Sequence, residues 1–166
     1  ADGDAAWTRP GGYYACLLEP PITAAADCSP DNVISGVSRM TDSHTHMWQS
    51  APDAALPQWL ELEFPEETTF DTVQLTFVTD LDTRHLAPTD VLSGVTAYRV
   101  QIPQDGGWKT ILREAGNYQR WRRHSFAPVT GSRLRIVIDE AAGMSSAAVY
   151  EVRVYNRSGT ATNKHG

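Results

Sequence analysis

Apolar and polar side chains alternate twice between residues 59 and 77, and this is the clearest pattern in the chain. WLELEF (59–64) and DTVQLTF (71–77) each place three apolar side chains on one face and polar ones on the other. A period of two predicts strands with one buried and one solvated face. PEET (65–68) lies between them and predicts a turn at Pro65. The predicted core positions are Leu60, Leu62, Phe64, Val73, Leu75 and Phe77.

The same alternation recurs in the second half of the chain. TAYRVQI (96–102) and WKTILRE (108–114) flank QDGG (104–107), which predicts a β-hairpin. SRLRIVI (132–138) follows a predicted turn at APVTG (127–131), and VYEVRVY (149–155) follows a loop. The predicted inward side chains are Tyr98, Val100, Ile102, Leu134, Ile136, Ile138, Tyr150, Val152 and Val154.

These segments predict an all-β fold. With NYQRWRRHSF (117–126) and a short strand at Tyr14–Leu18, the chain has about eight strands and no helical period. A parallel sheet would need helices between its strands, so we expect an antiparallel eight-stranded β-sandwich of the jelly-roll type. Residues 1–29 are expected to be an irregular segment that packs on the sandwich, residues 30–156 the sandwich and residues 157–166 a tail.

Composition narrows the class of partner. A chain of 166 residues suits one domain, and its net charge of −6 argues against nucleic acid, which needs a basic surface. No apolar run is long enough to span a bilayer. The chain opens on ADGDAAW instead of a signal peptide, as a processed secreted protein or an excised domain would.

The two cysteines, Cys16 and Cys28, lie close together in a Pro- and Ala-rich segment. A disulfide between them would close a short loop and stabilise the fold by about 3 kcal/mol. The alternative is a pair of free buried thiols. Zinc would need two more well-placed ligands.

The order of several short motifs resembles the discoidin domain superfamily, which includes coagulation-factor C-type domains and galactose-binding-like carbohydrate-binding modules. The motifs are NVISG, PQWLELEF, a Val-Gln-Leu strand, DGGWK and VYEVRVY, and they cover roughly residues 30–156. More narrowly, the chain resembles accessory C-terminal sandwiches of bacterial FAD-dependent oxidoreductase-like and polysaccharide-degrading proteins. The resemblance implies an eight-stranded jelly roll, a ligand site in the loops at one end and, in many members, a structural calcium.

The calcium motif of the family is incomplete in this chain. Ile34-Ser35-Gly36-Val37 has Ser35 where many members carry a calcium-binding Asp. Glu151 matches the C-terminal Glu that often completes the site, and Asp31 could contribute, since calcium prefers several oxygen ligands. The resemblance thus implies calcium at Asp31, Ser35 and Glu151. Alternatively, Glu151 is a structural carboxylate.

Two polar clusters flank the first pair of strands. His44 and His46 share a face of an extended segment. They could bind a transition metal with a third ligand, donate hydrogen bonds to a ligand or lie on a solvated loop. The second cluster can bond sugar hydroxyls, and it could equally be an exposed acidic turn. It consists of Asp80, Asp82, Arg84 and His85.

A third cluster, NYQRWRR, combines aromatic rings with arginines. Alternation places Arg120 and Arg122 on one face, and Trp121 and Arg123 on the other. Tyr118 or Trp121 could stack on a sugar while Asn117 and Arg120 bond its hydroxyls or a carboxylate, as in a uronate. The alternative is a sandwich strand whose arginine stems cover apolar surface.

These features predict a non-catalytic carbohydrate-binding module that targets an attached enzyme to a polysaccharide. No nucleophile motif, phosphate loop or dinucleotide fingerprint is present. We expect a monomer, secreted or extracytoplasmic, that binds carbohydrate and a catalytic domain and neither nucleic acid nor membrane. The alternatives are a docking sandwich without a sugar ligand and a small polysaccharide-active enzyme, in which Asp80 and Asp82 could be the carboxylate pair.

Overall fold

The computed structural model of the protein describes residues 7–10, 28–41, 44–51, 54–79, 93–144 and 146–158. They form a short 3₁₀ helix, Pro30–Ile34, and seven strands. The strands are β1 (Trp7–Pro10), β2 (Trp48–Gln49), β3 (Gln58–Phe77), β4 (Gly94–Gln104), β5 (Gly107–Ala115), β6 (Trp121–Ala142) and β7 (Ala148–Tyr155). The strand predicted at Tyr14–Leu18 lies outside the described residues. None of the helical structure in the described ranges is long and apolar enough to cross a membrane.

The two longest strands form one continuous antiparallel ribbon. β3 pairs with β6 from Gln58 opposite Ile138 to Thr76 opposite Trp121. The turns predicted at PEET and APVTG are therefore wrong as strand breaks. Instead, the register shifts between Glu63 and Thr68, and the ladder continues past the shift. Residues 64–67, where the side-chain alternation is interrupted, have no register partner on β6, and pairing resumes at Thr68 opposite Gly131.

This ribbon folds over to make both layers of a sandwich. A straight strand of 20 residues would be about 66 Å long, whereas a domain of this size has a radius of gyration of roughly 15 Å. The strand must therefore bend to fit within the domain. The first half of β3 pairs with β1, and the end of β6 with β4, whereas the second half of β3 pairs with β7. β5 extends the first layer beside β4, and β2 extends the second beside β7. The antiparallel β-sandwich is confirmed, with seven strands in the described residues, of which β3 and β6 are longer than predicted.

Apolar side chains from both layers form one core. The alternating sets of β3, β4 and β6 are buried as predicted, and they belong to a single cluster with Trp48. Tyr150 is the exception, because the register of β3 and β7 shifts between Thr76 and Phe77 and passes over it. Such a bulge turns one side chain to the opposite face. Tyr150 is consequently buried against Cys28 and Met47 and lies outside the main core.

The predicted hairpin at QDGG is confirmed. Gln104 pairs with Gly107, and the two central residues, Asp105 and Gly106, have φ angles of 50° and 77°. Positive φ at both positions defines a type I′ turn, which Asp-Gly favours and which matches the strand twist.

Asp71 fastens the end of β7 to the ribbon, and this predicts acid-sensitive stability. Hydrogen bonds from the Ser158 hydroxyl and from the backbone N–H groups of Arg157 and Ser158 hold the pKa of Asp71 well below its ordinary value. A depressed pKa in the folded state contributes stability that is complete above the ordinary value, roughly pH 4, and is lost as the pH falls further. We expect Asp71→Asn to lower the urea midpoint at pH 7 and to differ less from wild type as the pH falls below 4. Asp105→Asn, in the exposed hairpin turn, is the matched control and should change little; an equal loss in both variants would contradict this role.

Candidate functional site

Three chain segments meet at the end of the sandwich where β3 finishes. The backbone N–H of Phe77 donates to the carbonyl of Arg120, with an N–O distance of 2.8 Å. The guanidinium of Arg120 donates to the carbonyl of Ser38, 82 positions earlier in the chain, and lies over the ring of Tyr150. Ser38 and residues 116–121 therefore lie side by side at this end.

Two described residues that come before and after the predicted polar cluster in the sequence, Thr79 and Gly94, lie close together. A side chain at Gly94 would begin 3.4 Å from Thr79, so the residues that bracket this segment are adjacent. The cluster itself, Asp80, Asp82, Arg84 and His85, lies outside the described residues. Its assignment to the ligand stays a prediction.

Asn117 supports the loop that enters β6. Its side chain is buried, and its amide nitrogen donates to the carbonyls of Val95 (2.7 Å) and Gln119 (3.1 Å). Its amide oxygen accepts from the Gln119 N–H at 3.2 Å. These bonds occupy the groups that would contact a ligand, so the structure places Asn117 as a positioning residue beneath Tyr118.

Tyr118 and Trp121 are the aromatic side chains that this loop presents to solvent. They are 78% and 53% exposed. They line a shallow, open depression together with Gln119 and Arg120, Arg122 and Arg123. A shallow surface with exposed rings can bind a ligand by stacking, but it does not enclose one.

Trp121 differs from the other tryptophans whose side chains are described. Trp48 is fully buried in the core. Trp59 and Trp108 are half-buried, and the guanidinium of Arg135 lies over both rings, 5.1 Å and 3.8 Å from their centroids. Within the described ranges, Trp121 has no such cation or ring against it. Its face is therefore open for a ligand.

The arginines of the depression are not equivalent. The guanidinium of Arg120 donates to the Ser38 carbonyl and lies over the Tyr150 ring. Arg122 pairs with Glu114 at 2.9 Å and donates to Gln119 at 3.1 Å. Arg123 is exposed, and in the described part of the chain its guanidinium has neither an ion pair nor a hydrogen bond. The sequence interpretation chose Arg120 as the ligand residue and left out Arg123, although alternation already placed Arg123 beside Trp121.

His44 and His46 lie next to each other, as the spacing predicts. Their ring centroids are 4.5 Å apart, and each ring has a protein partner. The Nε2 atom of His44 is 3.4 Å from the Asn32 Oδ1, and that of His46 is 3.0 Å from the Thr41 hydroxyl. The two imidazoles thus contact Asn32 and Thr41 within the protein, and their role toward a ligand stays a prediction.

The side chains proposed for calcium make other contacts in the described residues, and the calcium site stays a prediction. Glu151 is paired with Arg153 at 2.8 Å, and this hydrogen bond raises the pKa of Arg153. The Ser35 hydroxyl accepts from the Val37 N–H, while Asp31 is exposed. In the parts of the chain that are described, no three His, Cys, Asp or Glu side chains converge on one point. An arginine thus compensates the carboxylate that the resemblance assigns to calcium.

This pairing predicts a fold that does not depend on calcium. Arg153 also lies against the 35–37 loop, since its Nη2 is 4.0 Å from where a side chain on Gly36 would begin. We expect neither millimolar calcium nor EDTA to move the thermal midpoint, because a calcium site present only in the folded state would raise the midpoint by an amount that grows with the logarithm of the calcium concentration. A calcium-dependent rise of several degrees, reversed by EDTA, would contradict this prediction.

Cys28 is buried beside Met47 and Tyr150. Its predicted disulfide partner, Cys16, lies outside the described residues. The disulfide therefore stays a prediction.

A buried pair that the sequence interpretation did not single out joins the two layers behind the depression. The hydroxyl of Tyr98 on β4 is 2.7 Å from Nε2 of His124 on β6. Burial lowers the pKa of His124 and raises that of Tyr98, so the imidazole is held neutral and the phenol protonated. The pair is enclosed in the sandwich and therefore contributes to its structure.

The fold is similar to that of several solved structures. One is the family 32 carbohydrate-binding module of NanJ from C. perfringens, in complex with galactose, at 15% identity and a TM-score of 0.60, covering 91% of this chain and 92% of that one. Another is chitosan-binding module 2 of a chitosanase/glucanase from Paenibacillus sp. IK-5, in complex with chitotriose, at 19% identity, a TM-score of 0.64 and 94% and 98% coverage. SpGH29 matches at 21% identity and a TM-score of 0.63 over 92% of this chain, which spans only 28% of the length of SpGH29.

These identities are low, and they establish the fold alone. No curated protein matches the sequence. The family model of the F5/8 type C domain, however, matches residues 21–152, which is well over half of the chain. The discoidin-like sandwich and the family match agree, and the chain belongs to the F5/8 type C domain family.

Proposed function

We propose that this domain binds carbohydrate without catalysis, through the depression at Tyr118 and Trp121. The observation that carries the proposal is the open face of Trp121, since an exposed indole at the loop end of a rigid sandwich suits the apolar face of a sugar. Modules of similar fold were solved with galactose and with chitotriose. Their ligands support a sugar for this chain as well.

The chemistry of the depression favours binding over hydrolysis. Hydrolysis of a glycosidic bond ordinarily needs two carboxylates on either side of it. The lining residues, 118–123, include neither Asp, Glu nor His. As formed by the described residues, the depression is open and does not enclose a ligand, which also favours binding.

The module would act by holding an attached enzyme on a polysaccharide. Linking a binding module to a catalytic domain raises the effective concentration of that domain at its substrate. A secreted or extracytoplasmic monomer, with Cys16 and Cys28 bridged, would suit this role because disulfides persist in oxidising compartments. These assignments are part of the proposal.

Affinity electrophoresis and calorimetry against a panel of neutral and acidic polysaccharides test the proposal. We expect saturable binding to at least one class of glycan, with micromolar to millimolar dissociation constants. Failure to bind any of them would overturn the proposal in favour of a docking domain. In that case the exposed rings would pack against a catalytic domain.

A further inference from the structure

We propose that the ligand is an acidic polysaccharide whose anionic group is bound by Arg123 while a sugar ring stacks on Trp121. The inference rests on the proposed function and names its substrate class. The anionic group is a carboxylate or a sulfate ester, and both suit a guanidinium.

Trp121 and Arg123 present their side chains on the same face of β6. They are two positions apart on one strand, and both are exposed. Opposite them on β3 stand Thr76 and Gln74, in the same order. Residues two apart on a strand are about 7 Å apart, so one side chain can stack on a ring while the other reaches a substituent on the same or the next ring.

Arg123 is the cation of this depression that has no partner within the described residues. Arg122 is neutralised by Glu114, and Arg120 donates to the carbonyl of Ser38. An unpaired arginine on a protein surface is common and by itself indicates no function. Here, however, the guanidinium without a partner in the described residues lies beside Trp121, the described tryptophan whose ring face is open. This juxtaposition creates a combined stacking and anion-binding surface.

The depression is positively charged, whereas the whole chain is negatively charged. The lining residues contain three arginines and no acid, whereas the chain has a net charge of −6. Attraction of polyanions to the depression would therefore not follow from the net charge of the chain. The acidic background also disfavours nucleic acid, which needs many basic contacts.

The experiment compares matched polymers with wild-type protein by calorimetry. Polygalacturonate, its fully methyl-esterified form, a neutral galactan and a sulfated galactan separate carboxylate, sulfate and neutral recognition. We expect at least about tenfold tighter binding to one of the two acidic polymers than to its neutral counterpart, weakening with added salt. Equal or better binding of neutral polymers would overturn the inference and leave the proposed function intact, while no binding to any polymer would overturn the proposed function itself.

Variants locate the effect. Arg123→Gln should lose about tenfold in affinity for the preferred acidic polymer and almost nothing for its neutral counterpart. Arg113→Gln is the matched control, because Arg113 is also exposed and unpaired within the described ranges but lies on β5. Loss of the acid preference in both variants alike, or in neither, would overturn the assignment to Arg123.

Discussion

Replacing Trp121 by alanine is expected to lower glycan affinity by about 30-fold or more. Trp121 is 53% exposed, and within the described ranges nothing stacks on its ring, so its apolar face is available to the ligand. Tryptophans at the centre of a binding surface commonly contribute about 2 kcal/mol or more, which corresponds to this change in dissociation constant. Calorimetric titration with the best polymer from the panel measures it, and the circular dichroism spectrum and thermal midpoint should stay close to wild type.

Trp108→Ala is the control for removing a partly exposed tryptophan. Trp108 lies under the guanidinium of Arg135, with Arg133 5.4 Å from its ring centroid, so its face is already occupied within the protein. We expect this variant to keep its affinity for glycan. If Trp108→Ala weakens binding as much as Trp121→Ala, the ligand surface is on the outer face of the first layer and the assignment to the depression is wrong.

Replacing Phe77 by alanine is expected to destabilise the fold by about 3–5 kcal/mol. The ring is fully buried and packs 4.9 Å from the ring of Tyr98, which joins the two layers. Removing a buried aromatic side chain loses its transfer free energy and leaves a cavity. Because the free energy of unfolding of a domain of this kind is about 5–15 kcal/mol, the variant would lose a large part of it. Urea unfolding measures the change from the midpoint at a constant slope.

Val154→Ala is the comparison for the same core. Val154 is only half-buried at its edge, and its truncation should cost about 1 kcal/mol. The backbone hydrogen bond from Phe77 to Arg120 is kept in this variant, but the end of β3 that donates it is expected to shift as the cavity relaxes. The phenylalanine variant should therefore weaken glycan binding as well, even where it remains folded. If Phe77→Ala lowers the free energy of unfolding no more than Val154→Ala does, then the contact between the Phe77 and Tyr98 rings does not hold the two layers together.

Much of the fold could be predicted because alternation is a local property. Successive side chains on a strand point to opposite faces, so the sequence of one strand is enough to predict that Leu62 faces the core and Glu61 faces solvent. The Asp105-Gly106 turn was predictable for the same reason. The ribbon was not, because a register shift that keeps two strands paired past Pro65 depends on the partner strand, about 65 residues later in the chain.

The bulge at Tyr150 illustrates the same limit on a single residue. Alternation along β7 assigns Tyr150 to the main core, but the shift against β3 moves it to the opposite face. There its ring meets the guanidinium of Arg120, 5.0 Å away. A pairing between distant strands thereby determined the surroundings of the arginine that the sequence interpretation had favoured as a ligand residue.

The sequence by itself determined the all-β class, the faces of the strands and the family resemblance, and it located NYQRWRR as a region rich in rings and cations. The tertiary structure decided which of those side chains remain available, because their partners come from remote positions: Ser38 for Arg120 and Glu114 for Arg122. It also showed that Arg153 compensates Glu151, the carboxylate expected to bind calcium. The sequence states which side chains are present, but whether a side chain is free to contact a ligand depends on the residues that the fold places next to it. Within the described residues, the fold leaves Trp121 and Arg123 free for such a contact.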